Sequence, residues 1–303
     1  MRVFVTGASG WIGSAVTDEL LAHGHQVVGL ARSDASAAAL TAKGADVHRG
    51  DLDDLDALRA GAESSDGVIH LGFKHDFSDM AGAGRTEHAV VTMFGETLAG
   101  SDRPFLLASG VARPSLGRPL AETDASPFVG VDSPRGGAEA LAMEFADRGV
   151  RSVALRFAPT VHGEGDLGFS STIAGIAQRT GVSGYVGDGS SRWPAVHRLD
   201  AADLVRLALE GAPAGSAVHA VAEEGIATKL IAEAHGRAMG LPAQSIAPDA
   251  AAEHFGWIAM FWGSDVPASS DITRATLGWV PTHSTLIEDI DAGFYANPTP
   301  HSA

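Results

Sequence analysis

The chain has 303 residues, 45% of them apolar, and a formal net charge of −16. It contains no cysteine, which excludes disulfides, thiolate metal sites and a cysteine nucleophile. The acidity, without a basic stripe, argues against nucleic acid as a partner, and no apolar run approaches the ~20 residues that span a bilayer. The first residues read as a strand rather than a signal peptide, so a cytoplasmic setting is expected.

Arg2-Val3-Phe4-Val5-Thr6 forms a short apolar strand pattern, followed at once by Gly7-Ala8-Ser9-Gly10-Trp11-Ile12-Gly13. A helical pattern then runs through Ile12, Ala15, Val16 and Leu20. Strand, glycine turn and helix in this order suit a dinucleotide. Gly7 permits the tight turn, Gly10 lets backbone approach a pyrophosphate, and Gly13 lets the helix pack closely. The N–H groups of the helix start, at Trp11 and Ile12, then face the phosphates.

Gln26 to Leu30 reads as the second strand, ending at Ala31-Arg32-Ser33. An acidic residue here would take a ribose 2′-hydroxyl; Arg32 and Ser33 instead suit a 2′-phosphate, so NADPH is expected over NADH. Asp34 is expected to cap a helix from Ala35 to Ala42. Ala45 to His48 is a third strand. After it Asp51 is placed to accept the adenine amino group, and Asp53 is the expected cap of the next helix. Gly67 to Phe73 is a buried strand in which His70 reads as a core histidine. The loop Lys74-His75-Asp76-Phe77 leaves the sheet edge where ligands of open α/β sheets bind. A long helix is expected around Arg85 to Ala99, then a strand from Pro104 to Gly110 with Ser109 at its active edge, where it is expected to touch the cofactor as well as the substrate. The polar, proline-rich run from Arg113 to Pro134 reads as a flexible loop beside the site. Arg135 to Arg148 is expected to be helical and Val150 to Phe157 a strand.

This alternation predicts an α/β fold, a doubly wound parallel sheet with a small C-terminal substrate lobe. Residues 1–165 and roughly 196–222 are assigned to the dinucleotide domain, and roughly 166–195 and 223–303 to the lobe. In the lobe, Ile173 to Arg179, Leu230 to Met239, Asp249 to Phe255 and Leu286 to Gly293 read as helices; in the returning segment of the dinucleotide domain, Asp200 reads as the cap of a helix through Leu209. Trp257, Phe261 and Trp262, with Ile258 and Met260, make an apolar patch that would favour an apolar or aromatic substrate.

The chain resembles the extended short-chain dehydrogenase/reductase superfamily, in the branch of NAD-dependent epimerases and dehydratases. The resemblance rests on Thr6-Gly7-x-x-Gly10-x-x-Gly13, Gly50-Asp51-Leu52, His70-Leu71-Gly72, Ala138-Glu139, Leu155-Arg156 with Val161-His162-Gly163, Gly187-Asp188-Gly189, His197-x-x-Asp200 and Leu277-Gly278-Trp279-x-Pro281. It implies a Rossmann fold and a nicotinamide cofactor lined by Leu52, Leu71, Gly72 and Phe73, with Pro159, Thr160 and Val161 by the nicotinamide amide. It also implies a homodimer, built from the helices near His88–Leu98 and Gly137–Phe145.

The family's Tyr-x-x-x-Lys pair is absent. Four residues after the two tyrosines, Tyr185 and Tyr295, stand Gly189 and Thr299. Alignment on Ala138-Glu139 puts Val131 at the tyrosine position and Arg135 at the lysine position. Arg135 can hold the ribose hydroxyls but keeps its proton. A ketone reduced by hydride needs a proton donor; Ser109, His75, Asp76 and His162 are the candidates at the sheet edge. An iminium or an activated double bond needs less help. The expected function is therefore NADPH-dependent reduction of a small, largely apolar carbonyl, imine or enone. Alternatives are an NADP(H)-binding sensor without catalysis, and a nucleotide-sugar epimerase or dehydratase. The last would want basic residues in the lobe, where Arg192 is one candidate.

Overall fold

The structure, a computed structural model, describes residues 1–74, 79–111 and 116–296. His75 and Asp76 lie outside the described residues. The chain starts with β1 (Arg2–Thr6), α1 (Trp11–Ala22), β2 (Gln26–Ala31), α2 (Asp34–Lys43), β3 (Asp46–Arg49), α3 (Leu55–Glu63), β4 (Gly67–His70), α4 (Met80–Leu98) and β5 (Pro104–Gly110). It continues through α5 (Ala138–Glu144), β6 (Arg151–Phe157), β7 (Thr160–His162), α6 (Phe169–Thr180), β8 (Ser183–Val186), β9 (Arg192–His197), α7 (Arg198–Gly211) and β10 (Ser216–Ala220). The C-terminal elements are β11 (Glu223–Ala227), α8 (Thr228–Met239), β12 (Ala243–Ile246), α9 (Ala251–Phe255), α10 (Ala259–Trp262), α11 (Asp271–Leu277) and α12 (Leu286–Asp291). No helix among the described residues is long and apolar enough to cross a membrane.

Seven strands form one sheet in the order β10-β6-β5-β4-β1-β2-β3, and every pairing in it is parallel. Alternation along β1 explains the layering. Val3 and Val5 point into one core with Val16 and Leu20 of α1 and Val205 of α7. Phe4 points into the other, with Leu58 of α3, Phe94 of α4 and Ala142 of α5. The strand order reverses between β1 and β4, where Thr6 lies level with His70. A crevice opens at such a switch point, beyond the carboxyl ends of the strands. The residues that follow β1 and β4 therefore share one edge.

The lobe has its own core, in which Trp193, Ile231, Phe255, Ile258, Trp262 and Tyr295 are buried. Its boundary differs from the expected one. β7 and the whole of β9 join β11 in a separate three-stranded sheet, while β10 returns to the large sheet. Residues 160–162 and 196–197 thus leave the dinucleotide sheet. β8 and β12 form a parallel pair that the sequence pattern did not reveal.

Three expected caps move by a residue or more. Ser33, not Asp34, caps α2, with a reciprocal bond to Ser36. Asp54, not Asp53, caps α3 by accepting from Ala57 N. His197 caps α7 by accepting from Leu199 N. Asp200 sits one turn in and accepts instead from Thr282 N at 2.9 Å, His283 N at 3.1 Å and His283 Nδ1 at 2.7 Å. The apolar residues of the two helices expected to pair in a dimer, including Val90, Phe94, Leu98, Ala142 and Phe145, are buried in the chain's own core.

Candidate nucleotide-binding site

The glycine turn has the geometry its sequence requires. Gly7 adopts φ 67°, and a Cβ there would stand 2.7 Å from Gly72 N. A Cβ on Gly13 would stand 2.8 Å from the Gly7 carbonyl carbon. Gly10 is the N-cap of α1 and supplies no side-chain cap, and the first turn holds no acidic residue. The opening N–H groups of α1 are therefore left for an outside acceptor. Together with the helix dipole this is a fit for a pyrophosphate.

Trp11, the first residue of α1, donates Nε1–H to the Val161 carbonyl at 2.7 Å. The Arg198 guanidinium lies 4.2 Å from its ring centroid. The indole thereby ties the dinucleotide turn to β7 and α7. Val161 and Thr160 are buried and Pro159 is half-buried. Ile12 is half-buried against the core. Asp51 and Leu52 are half-buried at the same edge. Asp51 Oδ1 accepts from Asp53 N at 2.8 Å, and the Leu52 side chain reaches the Gly72 backbone.

At the tip of β2, Arg32 is exposed. No interaction engages its guanidinium among the described residues. Ser33 is exposed as well, and its hydroxyl faces that of Ser36 at 3.1 Å. Neither position carries an acid that would repel a 2′-phosphate.

On the opposite side of the switch point a buried polar chain runs from β1 to Arg135. Gly72 N donates to Thr6 Oγ1 at 3.0 Å, and Thr6 Oγ1 lies 2.6 Å from His70 Nδ1. His70 Nε2 lies 3.2 Å from Glu87 Oε2. Arg135 Nη2 donates to Glu87 Oε1 at 3.0 Å. A neutral His70 protonated at Nε2 satisfies the whole chain. Burial raises the Glu87 pKa, but His70 and Arg135 outweigh it and hold the carboxyl below its usual value. His70 is thus a core residue, as expected.

Arg135 itself departs from expectation. The helix starts only at Ala138; Arg135, Gly136 and Gly137 form a left-handed turn with φ of 53°, 60° and 62°. Gly136 and Gly137 are needed there, since a Cβ on Gly137 would stand 2.6 Å from Gly130 N. A left-handed arginine costs on the order of 1–3 kcal/mol and persists only where the surroundings enforce it. Here the guanidinium stacks 4.5 Å over the Phe73 ring. Its Nε is buried without a hydrogen-bond partner. Leu71, Gly72 and Phe73 form the other wall of this corner.

Ser109, the penultimate residue of β5, lies level with Arg156 of β6. Its hydroxyl donates to Glu139 Oε2 at 2.5 Å. Val131 is exposed, and its aliphatic side chain offers no proton. His162 does not stand in a loop at the sheet edge. It is fully buried in β7, with Nδ1 2.6 Å from Asp289 Oδ2. Burial pushes its pKa down against the pull of Asp289. It is a packed residue of the lobe interface rather than a donor in the crevice.

The aromatic patch divides. Trp262 is 1% exposed and donates to the Gly184 carbonyl at 3.1 Å, so it belongs to the lobe core with Ile258. Trp257 is 47% exposed. It packs with Phe261 and with Phe169, whose ring centroid is 5.7 Å from each. Phe169 had not been singled out from the sequence; it follows the glycine of a loop and starts α6 without any motif. Arg192 is held by three hydrogen bonds to Asp265 and is not free for a diphosphate.

The model of the NAD dependent epimerase/dehydratase family matches residues 3–94. An uncharacterised protein of Schizosaccharomyces pombe is 46% identical over 97% of this chain and 100% of its own length. A 4-hydroxy-2-methyl-3-oxo-4-farnesyl-3,4-dihydroquinoline-1-oxide ketoreductase of Stigmatella aurantiaca is 28% identical over 71% of this chain and 66% of its own. The crystal structure of DesIV, a dTDP-glucose 4,6-dehydratase from Streptomyces venezuelae with NAD bound, superposes with a TM-score of 0.74 at 17% identity, covering 97% of this chain and 96% of that one. The seven-stranded sheet, the uncapped glycine turn at its switch point and these likenesses agree: the chain belongs to the NAD-dependent epimerase/dehydratase family.

Proposed function

We propose that this protein is an NADPH-dependent reductase of a small, largely apolar compound bearing a carbonyl, imine or enone group. The observation that carries the reading is the exposed, unpaired Arg32 at the tip of β2, beside a glycine turn whose helix start is left open. A guanidinium there favours the 2′-phosphate of NADPH. Arg135 would donate Nε–H and Nη1–H to the nicotinamide ribose hydroxyls. Because Glu87 already neutralises its charge, it suits a neutral diol better than an anion. The cofactor would supply hydride; the chain's part is to hold the dinucleotide and orient the acceptor.

The half-exposed Phe169, Trp257 and Phe261 support an apolar substrate. The ketoreductase relative acts on a farnesylated quinoline ketone by its name, which is in keeping with this. The engagement of Arg192 by Asp265 weighs against a nucleotide sugar.

Calorimetric titration with NADPH and NADH, followed by NADPH oxidation across a panel of apolar ketones, cyclic imines and enones, tests the reading. Tighter NADPH binding with turnover of one class is expected. Equal affinity for the two cofactors, or binding without turnover of any class, would refute it; the second result favours a sensor.

A further inference from the structure

The proton shared by Ser109 and Glu139 narrows the substrate. Glu139 Oε1 accepts from Arg156 Nε at 3.0 Å and from Arg156 Nη2 at 2.6 Å. Arg156 is anchored in turn by the carbonyls of Glu122 at 3.3 Å and Asp124 at 2.8 Å. The ion pair is nearly closed to water, with side chains 5% and 10% exposed. A carboxylate held this way has only acceptor atoms. The hydrogen in the bond between Ser109 and Glu139 is therefore the serine's. Once it is donated, Ser109 Oγ has only lone pairs left for a third partner. Ser109 is half-buried near the carboxyl end of β5, next to the exposed Gly110.

We infer that the substrate atom met by Ser109 carries a hydrogen, and that the substrate is a protonated imine. This rests on the reductase reading above and selects among its three acceptor classes. A ketone or enone oxygen presents only lone pairs, and two acceptors facing each other gain nothing. A protonated imine presents N–H. A second observation agrees. Val131 and Arg135, at the family's tyrosine and lysine positions, supply no acid. A protonated imine needs none. When hydride adds to its carbon, the C=N π pair becomes the nitrogen lone pair, the positive charge disappears and the product is a neutral amine. The cofactor leaves oxidised, and no proton moves in that step. A ketone would leave an alkoxide, which neither Val131 nor Arg135 could protonate.

The test is equilibrium binding to the NADP⁺-saturated protein, by calorimetry at pH 7. The probes are 1,2,3,4-tetrahydroisoquinoline, an ammonium at that pH, and 1-tetralone, a ketone on a ring frame of similar size. The amine is expected to bind at least ~10-fold tighter, the scale of one hydrogen bond from a charged donor. Ser109→Ala should erase the preference and Ser109→Thr should keep it, each with an unchanged circular dichroism spectrum and urea midpoint that show an intact fold. A ketone bound as tightly as the amine, no binding of the amine, or a preference that survives in Ser109→Ala overturns the inference. Ketone turnover with NADPH preference would sink it and spare the reductase reading.

Discussion

Replacing Arg135 by alanine separates the two halves of the cofactor. The guanidinium is 34% exposed and ion-paired with Glu87 at 3.0 Å. Its unengaged Nε and Nη1 would lose hydrogen bonds to the nicotinamide ribose. Charged hydrogen bonds contribute ~1.5–3 kcal/mol each, and partial exposure places these at the low end. The loss should be about 2–3 kcal/mol, or roughly 30- to 150-fold in the NADPH dissociation constant. The adenosine half, 2′,5′-ADP, lacks that ribose and should bind Arg135→Ala and the parent alike. Calorimetry with both ligands reads the difference. Equal weakening of both, or of neither, would refute the assignment. Arg135→Gly sharpens the case. It removes the same guanidinium but relieves the left-handed backbone at φ 53°. Arg135→Gly should therefore be more stable to urea than Arg135→Ala by about 1 kcal/mol. Identical urea midpoints would mean that the backbone there is unstrained.

Arg32→Ala should weaken NADPH by about 1–3 kcal/mol and leave NADH unchanged in the same titration. The Asp166 carboxyl, buried and accepting from Gly168 N and the Tyr295 hydroxyl, is pushed up by burial from the ordinary aspartate value of 3.8 to about 6. The folded state thus keeps a proton that the unfolded chain has lost. Its contribution to stability is complete below about pH 4 and falls as pH rises to about 6, by at most about 3 kcal/mol. Asp166→Asn mimics the protonated form and should flatten that segment of a urea stability profile; an unchanged slope would discount the burial effect. Light scattering is expected to return a dimer mass, on the family resemblance, and a monomer at working concentration would exclude it.

The alternation of strands and helices through Phe157 was legible because the strands of the large sheet, the polar β3 apart, are apolar runs between glycine or polar breaks. The dinucleotide turn was legible for a stronger reason: Gly7 and Gly13 each meet backbone that leaves no room for a Cβ. β8 and β12 were not, since Ser183-Gly184-Tyr185-Val186 and Ala243-Gln244-Ser245-Ile246 are short and mixed in polarity. The chain from Thr6 through His70 and Glu87 to Arg135 was invisible because its members come from four separate segments. The same holds for His162, whose partner Asp289 lies 127 residues away. The left-handed turn was misread because Arg135-Gly136-Gly137 precedes a good helical pattern, and propensity is silent on hand.

That turn bears on any attempt to retrofit the catalytic pair of better-known relatives. A tyrosine and a lysine four residues apart cooperate because one right-handed helical turn stacks them on a single face. Between positions 131 and 135 this chain has no such turn, and after 135 it winds the other way. Writing Tyr and Lys into Val131 and Arg135 would reproduce the spelling of the motif and not its geometry. Reconstruction would have to begin with the glycines at 136 and 137, whose removal the backbone at Gly84 and Gly130 opposes.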